Sequence, residues 1–133
     1  MNRVVGIGGV FIKARDPQAL REWYRKHLGM DIESWGGMAF EWNRPDGPGD
    51  DGKTIWSVFE ESSTYFDPGS ARFMVNYIVM DLPAVLEALR GEGCDVDPKT
   101  EESEFGRFGW VMDPEGNRIE LWEPPRPAAG QDG

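Results

Sequence analysis

The sequence holds one cysteine, Cys94, and one histidine, His27. A lone thiol makes no intrachain disulfide, and a lone imidazole supports neither a zinc finger nor a two-histidine zinc site nor haem attachment. Basic residues are scarce: 14 Lys and Arg face 24 Asp and Glu, a net charge of −10 with no Lys/Arg run. Such a chain repels phosphate backbones and anionic headgroups and lacks the cations that drive counterion release, so nucleic acid and membrane surfaces drop out as partners. No stretch approaches the roughly 20 apolar residues of a membrane span. Met1 to Ile7 carries an isolated Arg3 but no signal-like apolar run or cleavage site, which predicts a cytoplasmic protein.

What is present suffices for a core. The 133 residues are 39% hydrophobic and 12% aromatic, enough for one domain or two small halves sharing an interior. The chain is also internally repetitive. Val10–Arg25 (VFIKARDPQALREWYR) and Val75–Arg90 (VNYIVMDLPAVLEALR) match at an offset of 65, pairing Asp16 with Asp81, Ala19 with Ala84 and Glu22 with Glu87. Each copy reads as a strand running into an amphipathic helix, with Asp as N-cap and a first-turn proline whose missing N–H costs nothing. At an offset of 64 the match resumes: Gly29, Asp31 and Ile32 answer Gly93, Asp95 and Val96. Each glycine predicts a left-handed helix cap.

Three extended segments are predicted after each helix. They are Met30–Trp35, Met38–Trp42 and Thr54–Phe59 in the first half, and Asp95–Thr100, Phe108–Met112 and Arg118–Trp122 in the second. Turn-forming residues separate them, notably Asp113-Pro114-Glu115-Gly116-Asn117. Asn43–Gly52 and Glu60–Ser70 are polar breaks, the second joining the halves.

The βαβββ pattern repeated twice, the strand entering Asp16-Pro17, the helix ending in WYRKHLGM and the segment FGRFGWVMDPEGNRIELWEP (Phe105–Pro124) together resemble the vicinal oxygen chelate superfamily. Glyoxalase I, bleomycin-resistance proteins and extradiol dioxygenases belong to it. The resemblance implies an α+β fold of two βαβββ modules in tandem, forming a curved eight-stranded mixed sheet with helices on its outer face. It implies one domain over 1–123, with module one at 1–60, a linker at 61–71 and module two at 72–123; beyond it, 124–133 lacks apolar periodicity and reads as a flexible tail. A homodimer is also implied.

In metal-dependent members four ligands come from the concave sheet face. Carried over by spacing, those positions are Gly9, Trp56, Met74 and Glu120. Glycine has no donor atom, the indole nitrogen only donates, and thioether sulfur is a poor ligand for hard cations. The expectation is therefore no cofactor and no metal residues, a divalent ion on Glu120 alone being weakly held.

Strand alternation assigns Val10, Ile12, Ala14, Ile55, Phe59, Val75, Tyr77, Val79, Ile119 and Leu121 to the helix side. Phe11, Lys13, Trp56, Val58, Met74, Asn76, Ile78, Arg118, Glu120 and Trp122 take the concave side. That mix of aromatics with a few polar groups predicts a small-molecule pocket. Phe11, Trp56, Met74, Asn76 and Trp122 are its candidate ligand-binding residues, and Glu120 is the candidate catalytic residue, a general base or the acceptor for a cation. The bland alternative pairs Glu120 with Lys13 or Arg118. His27 and Cys94 read as structural, and Arg107 as a rim residue or a solvated partner of Glu101, Glu102 and Glu104. The leading expectation is metal-independent binding of a small molecule; the alternative is a metal-dependent glyoxalase-like lyase or isomerase, or a dioxygenase-like enzyme.

Overall fold

Asp16 and Asp81 do what their position before a proline-containing helix predicts. Each carboxylate accepts from the amide three residues on, Ala19 or Ala84, at 3.1 Å. Such a cap satisfies one of the four orphan N–H groups of a helix start. The computed structural model describes residues 3–43 and 52–125. Within them β1 (Val4–Ala14) leads into α1 (Pro17–Leu28), followed by β2 (Gly37–Glu41) and β3 (Lys53–Glu60). The second half runs β4 (Phe73–Val79), α2 (Leu82–Gly91), β5 (Asp95–Ser103), β6 (Gly106–Met112) and β7 (Arg118–Glu123). α1 ends at Gly29, whose φ of +66° is the left-handed conformation that glycine adopts without a Cβ penalty.

The fold is α+β, and its strands form one mixed sheet in the order β2-β3-β1-β4-β7-β6-β5. β1 and β4 pair antiparallel at its centre, and each has a parallel partner on its outer side, β3 and β7. Both helices cover the same face. Leu20 and Tyr24 of α1 pack on Ile12, Ala14, Trp56 and Val58, while Leu82 and Leu86 of α2 pack on Val79, Leu121 and Tyr77.

Seven strands stand among the described residues where eight were expected. Met30–Trp35 is not a strand. Ile32 is buried beside α1, and arginines of that helix take the backbone acceptors around it: Arg25 donates to the Ile32 carbonyl and Arg21 to those of Gly36 and Val58. A turn closed by the Gly36 amide on the Glu33 carbonyl then delivers the chain into β2. With the Ile32 carbonyl taken by Arg25 and the Glu33 carbonyl by the Gly36 amide of the turn, the segment does not extend the sheet.

The polar break at 43–52 lies outside the described residues except for Asn43 and Gly52, as does the expected tail beyond Pro125. Among the described residues no helix is long and apolar enough to cross a membrane.

Candidate functional site

On β7, Arg118, Glu120 and Trp122 alternate with Ile119 and Leu121. The latter two pack toward α2, so the former three occupy the helix-free face. Register then selects their neighbours. Asn76 of β4 stands opposite Glu120, and Trp110 of β6 stands opposite it on the other side.

Glu120 is 2% exposed. Asn76 Nδ2 donates to Oε1 at 2.6 Å, Trp110 Nε1 donates to Oε2 at 3.0 Å, and the phenol of Tyr65 donates to the same Oε2. Burial pushes the Glu120 carboxyl above its ordinary pKa against the opposing pull of these three donors and of the Arg118 charge. The Tyr65 phenol is pushed up as well, first by burial and then by the neighbouring carboxylate, so it remains a neutral donor. Asn76 turns its amide nitrogen to the carboxylate, which leaves Oδ1 buried without a partner. That oxygen abuts Gly8, where any side chain would collide with it.

Neither Lys13 nor Arg118 pairs with Glu120. The Lys13 ammonium lies 5.1 Å from the centre of the Phe66 ring. Arg118 bonds Asp97 at 3.2 Å and lies over Trp110 at 5.0 Å, with its buried Nε unpartnered. Arg107 instead approaches Glu102 at 3.6 Å and Glu123 at 4.0 Å, as a partner of acidic neighbours.

Five of the candidate site residues share the helix-free face: Phe11, Met74, Asn76, Glu120 and Trp122. Phe11 and Met74 pack with Phe66, Ile55, Phe59 and Tyr65. Trp122 stacks on Phe108 at 6.0 Å and donates Nε1–H to the Phe105 carbonyl at 2.7 Å. Trp56 is the correction. It packs against Tyr24 of α1 at 4.9 Å, on the helix side, and Val58 goes with it. Ile55 and Phe59, expected on the helix side, pack on the opposite face.

The cause is a one-residue register difference. β1 and β3 pair Val10 with Trp56 and Phe11 with Ser57. Asn76, the repeat partner of Phe11, pairs with Glu120. The position answering Glu120 in the first half is therefore Ser57, an offset of 63 instead of 64. The corrected set of matched positions is Gly9, Ser57, Met74 and Glu120. It does not fit a divalent metal, because the one carboxylate meets the hydrogens of three donors where a cation would have to approach. Among the described residues no three His, Cys, Asp or Glu side chains cluster as metal ligands.

Sequence reasoning passed over Tyr65, Phe66 and Trp110. The linker lays Tyr65 and Phe66 across the helix-free face, Phe66 being 1% exposed. An aromatic pair inside an otherwise polar break was the available signal. For Trp110 it was arithmetic, since a β6–β7 hairpin turning over Asp113–Asn117 places 110 opposite 120. Two clefts flank the covered carboxylate, and Glu120 lines neither. One of about 400 Å³ is lined by Glu41, Lys53, Ile78, Trp122 and Pro124. The other, about 180 Å³, is bordered by Asp97, Trp110, Met112, Arg118 and Pro68.

The chain belongs to the glyoxalase-like domain family, whose model matches residues 9–122. This places it in the glyoxalase, bleomycin-resistance and dioxygenase superfamily. Methylmalonyl-CoA epimerase from Mycobacterium tuberculosis is 23% identical with a TM-score of 0.64, over 95% of this chain and 92% of that one. A Streptomyces coelicolor methylmalonyl-CoA epimerase in complex with 2-nitronate-propionyl-CoA gives a TM-score of 0.67 at 17% identity, over 92% and 99%. A superfamily member from Vibrio splendidus 12B01 gives 0.56 at 13%, over 88% and 97%. At these identities the likeness is one of fold. No curated protein matches the sequence significantly.

Proposed function

We propose that this glyoxalase-like protein binds a small organic molecule on the helix-free face of its sheet and does so without a metal. The observation that carries the reading is the Glu120 donor shell: a buried carboxylate whose two oxygens accept from Asn76, Trp110 and Tyr65 is furnished for hydrogen-bond donors instead of a cation. The cleft of about 400 Å³ against Trp122 lies within the size range of small-ligand sites, which supports the same reading. A neighbour sharing the fold, the Streptomyces enzyme in complex with 2-nitronate-propionyl-CoA, supports the small-molecule part of the reading.

The test combines metal analysis of protein purified without chelator with a calorimetric ligand screen on wild type, Glu120→Gln and Trp122→Ala. The expected result is no stoichiometric metal, together with ligands weakened by one or both substitutions. A stoichiometric divalent ion lost in Glu120→Gln would sink the metal-free reading. Equal affinities across the three proteins for every ligand would move the binding site elsewhere.

A second reading, proton transfer with Glu120 as the base, is favoured by one observation, the carboxyl pKa raised by burial. It predicts deuterium uptake from solvent into a bound carbon acid, lost in Glu120→Gln. We further propose a homodimer without nucleic-acid or membrane partners, on the net charge of −10 and the exposed apolar side chains Val5, Ile7 and Phe73.

A further inference from the structure

The carboxylate of the proposed site is already in use, by a side chain of the linker. Tyr65 donates its phenol O–H to Glu120. Its ring lies nearly parallel to Phe59, centroids 5.5 Å apart and planes 15° apart, and meets Trp110 edge-on at 6.4 Å and 89°. An acceptor, a stacking face and an edge contact are the three things a bound phenol uses.

The two linker aromatics are not held alike. Phe66 is fully buried among Phe11 and Met74, whereas Tyr65 stays partly exposed. Phe66 therefore anchors the segment, and rotation of the Tyr65 side chain into solvent leaves that anchor in place. Glu120 would then retain the Asn76 and Trp110 donors, with one hydrogen-bonding direction free.

Resting on the metal-free binding reading above, we propose that Tyr65 is an internal stand-in for the ligand. The side chain swings outward, and a small phenol takes both its seat on Phe59 and its hydrogen bond to Glu120. The ligand class is thus a planar ring bearing a hydroxyl donor.

The experiment titrates 4-methylphenol, the tyrosine side chain as a free molecule, and toluene, the same ring without the hydroxyl. Wild type, Tyr65→Phe and Tyr65→Ala are compared by calorimetry. In wild type the added phenol competes with Tyr65; Tyr65→Phe deletes the competitor's bond to the carboxylate, and Tyr65→Ala removes the competitor. The expected result is one 4-methylphenol per chain with affinity rising from wild type to Tyr65→Phe to Tyr65→Ala, and toluene weaker throughout. The step from wild type to Tyr65→Phe should be about tenfold to a hundredfold, the equivalent of a hydrogen bond to a charged group.

Binding by Tyr65→Ala alone, with none by the other two at millimolar phenol, would make Tyr65 a fixed core side chain and overturn the proposal. Equal affinity for phenol and toluene would overturn it as well. Because Tyr65→Phe keeps the ring, it decides the matter even if Tyr65→Ala does not fold. A screened ligand that depends on Trp122 and ignores both Tyr65 substitutions would leave the binding reading standing and remove this one.

Discussion

At Glu120 two effects oppose each other. Loss of water disfavours the ionised form, while three donors and the nearby Arg118 favour it, and the balance falls to desolvation. The folded chain therefore holds this proton more tightly than the unfolded chain does. Its contribution to stability is fully present below the ordinary value of 4.5 and is lost as pH rises through the raised folded value. Carbon-13 NMR of the side-chain carboxyl should place the midpoint above 4.5, and a midpoint at or below it would contradict the burial argument. Trp110→Phe deletes one donor to the ionised form, so the midpoint should move higher still. The same substitution should lower stability by about 2 kcal/mol in urea unfolding at neutral pH, the usual worth of a hydrogen bond to a charged group.

Among the elements, α1 and α2 begin with the same device and differ in their support. Among the described residues Asp16 caps α1 without help from a second side chain, whereas α2 has Asp81 and also Glu123, which accepts from the Leu82 amide at 2.8 Å. Replacing Asp16 by Ala should cost about 1 kcal/mol, a typical N-cap loss. Asp81→Ala should cost less, because Glu123 still satisfies one orphan amide. Denaturant midpoints of the two variants check the order, and a larger loss at Asp81 would count against it. The β6–β7 turn has its own organiser: Asp113 accepts from the Asn117 side chain and from the Glu115 and Asn117 amides at 2.9 Å. Those bonds, led by the Asn117 side chain, pull its pKa down. Its stabilising effect is therefore present above the ordinary carboxylate range and fades as pH falls through the lowered value.

For the molecule as a whole, the parallel pairs β1–β3 and β4–β7 flank a central antiparallel seam, and the two helices leave apolar side chains such as Phe73, 56% exposed, in solvent. Apolar surface of this kind is what a twofold partner covers. Sedimentation at micromolar concentration should give twice the mass of one chain, and a monomer alone would refute the homodimer proposal.

Local chemistry was enough for part of this molecule. Aspartate before a first-turn proline and amphipathic spacing announce both helices, and a five-residue turn of Asp, Pro, Glu, Gly and Asn makes the β6–β7 pairing countable. Alternation along β7 then turns Glu120 away from the helices, with Asn76 opposite it. Three features needed the tertiary structure. Alternation has a period of two, so a one-residue slip exchanges the faces; no tight turn ties β3 to β1, and only their parallel pairing puts Trp56 under α1 and Ser57 opposite Phe11. Met30–Trp35 reads as a strand until Arg21 and Arg25 claim the carbonyls of Gly36 and Ile32. Tyr65 reaches Glu120 across 55 residues of sequence, a contact that no local pattern encodes because it exists only once the sheet has formed the surface on which the linker lies.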